Sequence, residues 1–132
     1  MICIDSDCII DFLKGNEKVI KTIEKYKNEI CTTEINAFEI FFGAYRKFSK
    51  EEINEASRFF NSIDVLSFDK PCGKISAEIL SSLIKQGKEI EQNDCFIASI
   101  MIKNNIQKII TKNKKHFSKI KEIEVIIPLG LN

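Results

Sequence analysis

The chain has 132 residues and a formal net charge of +1. It therefore lacks the basic excess of a pure nucleic-acid binder, although an enzyme meeting nucleic acid at a local patch remains open. With 30% charged and 44% hydrophobic residues, it has the balance of a globular domain large enough to bury a core without staples. No apolar run approaches the length of a membrane helix. Five cysteines, an odd count with no Cys-x-x-Cys pair, and no signal peptide point to free thiols in a reducing cytoplasm. A single His makes a structural zinc site a poor fit. No repeat, linker or low-complexity segment divides the chain, so residues 1–132 are taken as one domain.

Taken in order, Met1–Ile4 is an apolar run without polar alternation, as expected of a strand covered on both faces. It ends in Asp5, Ser6 and Asp7, of which Ser6 or Asp7 is expected to cap a short helix reaching Leu13 and stopped by Gly15. A second amphipathic helix is expected over 16–25 and a second strand over 29–32. Thr33 is expected to cap a third helix running to about Lys47. Most of that helix is apolar, through Ile35, Phe38, Ile40, Phe41, Phe42, Ala44 and Tyr45, and is expected to be hidden. A narrow arc carries Asn36, Glu39, Gly43 and Arg46.

Ser49 and Glu52 form a capping box for a fourth helix. A third strand is expected over 65–68 and a long helix from Asp69 to Gln86, ended by Gly87. A helix over 94–104 and strands over 108–111 and 124–127 complete the pattern, with a Lys- and His-bearing loop over 112–119. Strands alternating with helices predict an α/β fold, a three-layer sandwich around a mainly parallel five-stranded sheet.

Two acids, Asp5 and Asp94, stand where solvated side chains are not expected, and Glu39, which taken alone reads as part of a polar stripe facing water, is a third candidate. Asp5 closes a buried strand at the edge where open α/β sheets place their ligands. Asp94 opens the inward face of a helix that is apolar nearly all round. Taken alone, it could be an N-terminal acid favoured by the helix dipole. Glu39 shares its arc with Gly43, which costs about 1 kcal/mol relative to Ala in a helix and leaves open space beside it. Converging without a cation, three carboxylates would raise one another's pKa values. A hard divalent ion, Mg²⁺ or Mn²⁺, would turn them into a site for hydrolysing a phosphodiester. Asp7 is read as cap or ligand, Asp11 as structural or solvated, and His116 as a packing or capping residue.

In order along the chain, four segments resemble those of the PIN-domain ribonucleases, and within them the VapC-like toxins of toxin–antitoxin pairs. They are Ile4-Asp5-Ser6-Asp7 with the trailing Asp11, Glu39-Ile40-Phe41-Phe42-Gly43, Asp94-Cys95-Phe96-Ile97-Ala98 and Thr111-Lys112-Asn113-Lys114-Lys115-His116-Phe117. The resemblance implies a Rossmann-like sheet of order 3-2-1-4-5 and a metal-dependent endoribonuclease acting on RNA. It also implies an inhibitory antitoxin partner and a homodimer. Asp5, Glu39 and Asp94 then take the catalytic and metal-binding positions, supported by Ser6, Asp7 and Asn113. Asn113 stands where many members have Asp, which puts a second metal subsite in doubt, with Asp7 or Glu91 as compensating acids. Arg46, Lys112, Lys114 and Lys115 are candidate contacts for RNA phosphates. The alternatives are an RNA-processing nuclease without a toxin role, an interaction module of the same fold with weakened catalysis, and a phosphatase using Asp5 as nucleophile. The last lacks the downstream acidic pair it would need.

Overall fold

Five strands of three or four residues each form the sheet among the described residues. They are β1 (Ile2–Ile4), β2 (Ile30–Thr33), β3 (Asp64–Leu66), β4 (Lys108–Ile110) and β5 (Glu124–Ile126). The computed structural model describes residues 1–128. All four neighbouring pairs are parallel, in the order β3-β2-β1-β4-β5. The expected α/β sandwich is therefore found, with a sheet that is wholly parallel.

Seven helices connect these strands among the described residues: α1 (Ser6–Leu13), α2 (Glu17–Lys25), α3 (Glu34–Arg46), α4 (Lys50–Asn61), α5 (Lys70–Lys85), α6 (Gln92–Lys103) and α7 (Lys114–Phe117). Alternation along the central strands sorts the core into two layers. Ile2, Ile4, Ile30 and Ile110 pack with Ile9, Val19, Ile40, Phe59 and Phe60 on the side of α1 to α4. Cys3, Cys31 and Ile109 pack with Leu83, Ile97, Met101 and Phe117 on the side of α5, α6 and α7. All five cysteines are free and buried. No helix of the described residues is long and apolar enough to cross a membrane.

Five local expectations change. Asp5, not Ser6 or Asp7, is the N-cap of α1, because its carboxylate accepts from the Ser6 N–H at 2.9 Å. Helix α6 starts at Gln92, so Asp94 lies within its first turn rather than at its start. Part of the 112–119 loop is the short helix α7. Phe68 lies beyond the end of β3 and packs edge-on against Phe96 at 5.0 Å between ring centroids. Thr33 caps α3 as expected, accepting from Asn36 N, but α3 is hidden on one side only. Phe38, Phe42 and Tyr45 are exposed, because apolar periodicity counts side chains without saying where a neighbouring layer ends.

Truncating the buried centre of the sheet should be costly and truncating the helix surface should not. Ile109→Ala should lose about 2–5 kcal/mol in denaturant unfolding, whereas Ile84→Ala, at an exposed position of α5, should change stability by less than about 0.5 kcal/mol.

Candidate functional site

Because β1 lies at the centre of the sheet, its end at Asp5 is flanked by β2 and α3 on one side and by β4 on the other. The backbone extends the ladder one step, with Asp5 N donating to Ile110 O at 2.9 Å. The side chain, 6% exposed, is held from three directions. Its Oδ1 accepts from Ser6 N and from Asn36 Nδ2 at 3.1 Å, and its Oδ2 accepts from Thr111 Oγ1 at 2.7 Å. Asn36 is itself fixed by Thr33, whose hydroxyl donates to Asn36 Oδ1 at 2.7 Å.

Glu39 joins this network through Ser6, whose hydroxyl donates to Glu39 Oε1 at 2.7 Å while accepting from Asn36 Nδ2 at 2.9 Å. Asn93 Nδ2 reaches Glu39 Oε2 at 3.3 Å. Beside Glu39, a Cβ built on Gly43 would meet nothing within 4 Å. The open space is a groove of about 210 Å³ walled by Ile10, Leu13, Ile40 and Ala44. The expectation of room next to Glu39 is met.

Asp94, 7% exposed, projects from the first turn of α6. Its Oδ2 lies 2.6 Å from His116 Nδ1 and 3.4 Å from Asn113 Nδ2. His116 was expected to pack or cap. Instead, α7 carries it onto the acid, and Asn113 lies 3.0 Å from the same ring nitrogen. Asp7 neither caps a helix nor turns away: its Oδ2 accepts from Lys112 N at 3.0 Å and lies 3.3 Å from Thr111 Oγ1. Its Oδ1 is buried without a hydrogen-bond partner.

The acids feel one another. Burial, and then the charge of Asp7, push Asp5 up to about 7, with Asp94 adding to the rise and the bonds from Thr111 and Ser6 opposing it. Burial also raises Asp94, His116 opposes the rise, and Glu91 and Glu39 add to it. Asp5, Glu39 and Asp94 are thus brought to one carboxyl edge, as the sequence pattern predicts. Among the described residues the only ion pair to any of the three is that of His116 with Asp94.

The expected phosphate-binding cations are placed less uniformly. Lys112 Nζ is bound to Asp11 at 2.6 Å, so Asp11 is a structural partner rather than a solvated acid. Arg46 lies over the Phe42 ring, 5.5 Å from its centroid. Lys114 and Lys115 are exposed on α7. Asn36, Thr111, Asn93 and His116 were absent from the predicted site set. Asn36 was visible on the Glu39 arc, and Thr111 and His116 within the fourth motif, but nothing in the sequence signalled Asn93.

No three His, Cys, Asp or Glu side chains among the described residues form a ready-made metal cage. The donor chemistry nonetheless fits a hard cation. Such an ion needs only one or two direct carboxylates and keeps several waters, and here burial raises the pKa values of Asp5 and Asp94, while Asp7, whose charge acts on Asp5, has a buried oxygen without a hydrogen-bond partner.

Residues 2–123 match the family model described as PIN domain. Ribonuclease VapC3 of Methanocaldococcus jannaschii is 33% identical over 97 residues, 74% of this chain and 94% of that protein. A chain of VapBC2 from Rickettsia felis, solved bound to a DNA fragment from its promoter, superposes with a TM-score of 0.86 at 21% identity, covering 97% of this chain and 99% of the other. VapBC-1 from nontypeable Haemophilus influenzae gives a TM-score of 0.82 at 24% identity, covering 96% and 98%.

The raised Asp5 pKa has a consequence for stability. The folded carboxyl keeps its proton up to about pH 7, while in the unfolded chain it loses it near about 4. Between these values the folded state binds more protons, so stability falls as pH rises through the window. In chelator, the thermal midpoint should drop from about pH 5 to pH 7.5, and Asp5→Asn should flatten that slope. A variant slope equal to wild type would show that Asp5 does not carry it.

Proposed function

The chain belongs to the PIN domain family, in its VapC branch, and on that premise we propose that it is a metal-dependent endoribonuclease acting as the toxin of a toxin–antitoxin pair. One observation carries the reading. Two buried carboxylates, Asp5 and Asp94, share a sheet edge with Glu39, where burial first of all, and neighbouring acids after it, raise the pKa values of Asp5 and Asp94. A polar cluster of this kind is destabilising for a fold that does not use it. A phosphatase reading of Asp5 has little support, since the nearby Lys112 is engaged by Asp11.

Asp5 and Asp94 would hold the ion, Mg²⁺ or Mn²⁺, with Asp7 as the nearest further acid. Such an ion, when bound, supplies charge neutralisation and polarises water and phosphate. The chain's own side chains do the rest. Glu39, oriented by Ser6 and Asn93, takes a proton from the attacking water. Ser6 and Asn113 position water or phosphate. Asn36 and Thr111 keep the Asp5 carboxylate aimed, as outer partners of metal ligands do. Lys114 and Lys115 are the better placed cations for backbone phosphates, because Lys112 and Arg46 already have partners. The substrate is RNA, the regulator a cognate antitoxin, the working form a homodimer and the location the cytoplasm. A processing nuclease without a toxin role would use the same chemistry.

Total RNA digested with Mn²⁺ and mapped at its ends tests the chemistry. Asp94→Asn should lower cleavage by about 100-fold or more, and wild-type rates in that variant would sink the scheme. Asn36→Ala, which leaves every acid in place, should lower cleavage by about 10- to 100-fold. Expression alone should arrest growth, and co-expression of the neighbouring gene product should relieve it; a processing nuclease would do neither.

A further inference from the structure

Helix α3 carries a glycine that the fold itself does not account for. Gly43 stands inside the helix, and unlike Gly15 and Gly87 it has no positive φ. A Cβ built on it would meet nothing within 4 Å. Neither backbone geometry nor close packing therefore calls for the missing side chain. Glycine also lowers helix stability relative to every residue but proline. The space it leaves open is the groove of about 210 Å³ beside Glu39.

Charged groups reach this groove from three helices. Lys14 follows the end of α1, Lys47 follows the end of α3, and Glu52 and Glu55 belong to α4. Lys47 Nζ and Glu52 Oε1 are paired at 3.2 Å. Lys14 and Glu55 enter no ion pair among the described residues, so one base and one acid are left to meet a ligand. Between them the lining is apolar, through Ile10, Leu13, Ile40 and Ala44.

Size and chemistry together select the occupant. The groove is smaller than the roughly 300–1,000 Å³ of a drug-sized pocket, which suits one flat ring system rather than a run of polymer. Apolar walls take the faces of such a ring, and single-stranded RNA offers bases that can be splayed out and read along their edges. Glu39 both lines the groove and belongs to the acid cluster. An occupant is thereby continuous with whatever lies at the acids. A carboxylate only accepts hydrogen bonds and an ammonium only donates them. Guanine answers both, with N1–H and the N2 amino group for Glu55 and with O6 and N7 for Lys14. Uracil has a single N–H set between two carbonyls, which Glu55 would repel.

We infer that the groove over Gly43 is a nucleobase subsite, which holds one guanine with its ring across Gly43 and its edges on Glu55 and Lys14. Placing that guanine next to the cleaved bond rests on the nuclease reading; its binding to the groove does not.

Methyl NMR on the full chain in chelator, titrated with guanosine monophosphate, tests the subsite without any cleavage. Saturating shifts should appear at Ile10, Leu13 and Ile40, and uridine monophosphate should bind about tenfold more weakly or worse. Gly43→Leu should lose those shifts while unfolding no earlier than wild type, because leucine is the better helix former and the space is open. Glu55→Gln, at a half-buried surface position, should erase the preference for guanine over uracil. It keeps the test decisive if Gly43→Leu fails to fold. In RNA cut with Mn²⁺, guanine should dominate at one nucleotide beside the cut, and Glu55→Gln should cut without that preference. Guanosine monophosphate binding in a protein that cuts no RNA upholds the subsite and overturns the nuclease reading instead. Equal binding of all four nucleotides overturns the assignment to guanine. Cleavage without base preference, together with no shifts from any nucleotide, overturns the subsite and leaves the groove to a protein side chain.

Discussion

The Asp5 carboxylate is the constraint from which the rest of the site follows. It sits at the end of the central strand, where the backbone must leave the sheet, and it performs two tasks at that point. One oxygen caps α1 through Ser6 N and holds Asn36, and the other is bound by Thr111 at the end of the neighbouring strand. Three elements far apart in sequence are thereby tied to one side chain, and each brings a further group with it. Helix α3 brings Glu39, β4 leads into the turn that carries Asn113 and His116, and α1 brings Ser6 and Asp7. Hydrogen bonds to an ionised group are worth more than neutral ones. The network is therefore strongest when Asp5 is charged, and burial and Asp7 favour the neutral form. A cation near Asp5 would favour the charged form and so remove that conflict.

How far this was legible beforehand depended on the kind of signal. Buried parallel strands read as uninterrupted apolar runs, and Met1–Ile4, 108–111 and 124–127 could be placed from that alone. Asp5 stood out because a charge ended such a run, and Asp94 because an acid opened an apolar helix. Asn93 was beyond reach, and Asn36, although it lay on the Glu39 arc, could not be tied to Asp5, since an amide on a helix has no preferred environment until its neighbours across the sheet are known. His116 was misjudged because α7 was read as a loop. A single turn of helix leaves no periodicity to detect, yet that turn sets the imidazole 2.6 Å from Asp94.

Helix α3 shows the opposite failure, in which a strong signal carried the wrong meaning. Its composition was read as that of a helix hidden nearly all round, yet only Ile40, Ala37 and Ala44, together with the polar Asn36, are buried. Phe38, Phe42 and Tyr45 form a second apolar surface with no layer of the described residues over it. An all-round apolar helix in a small domain has more surface than the domain can cover, so the excess must face solvent or another molecule. Contiguous exposed aromatics are disfavoured on monomers unless they serve an interface.

The two faces of α3 also constrain each other. Glu39 lies between the buried side, where Asn36 fixes Asp5, and the outer stripe that runs from Glu34 to Arg46. Arg46 belongs to the outer stripe, with its guanidinium over the Phe42 ring. A helix that places Glu39 on one flank and an exposed aromatic ridge on the next has little freedom in its rotation about its own axis. Thr33 capping and the Asn36 bridge hold that rotation from the amino end. The same two contacts that fix Asp5 against α3 thus also set the direction in which the aromatic ridge points, so changes at Asn36 should be felt on both faces of the helix.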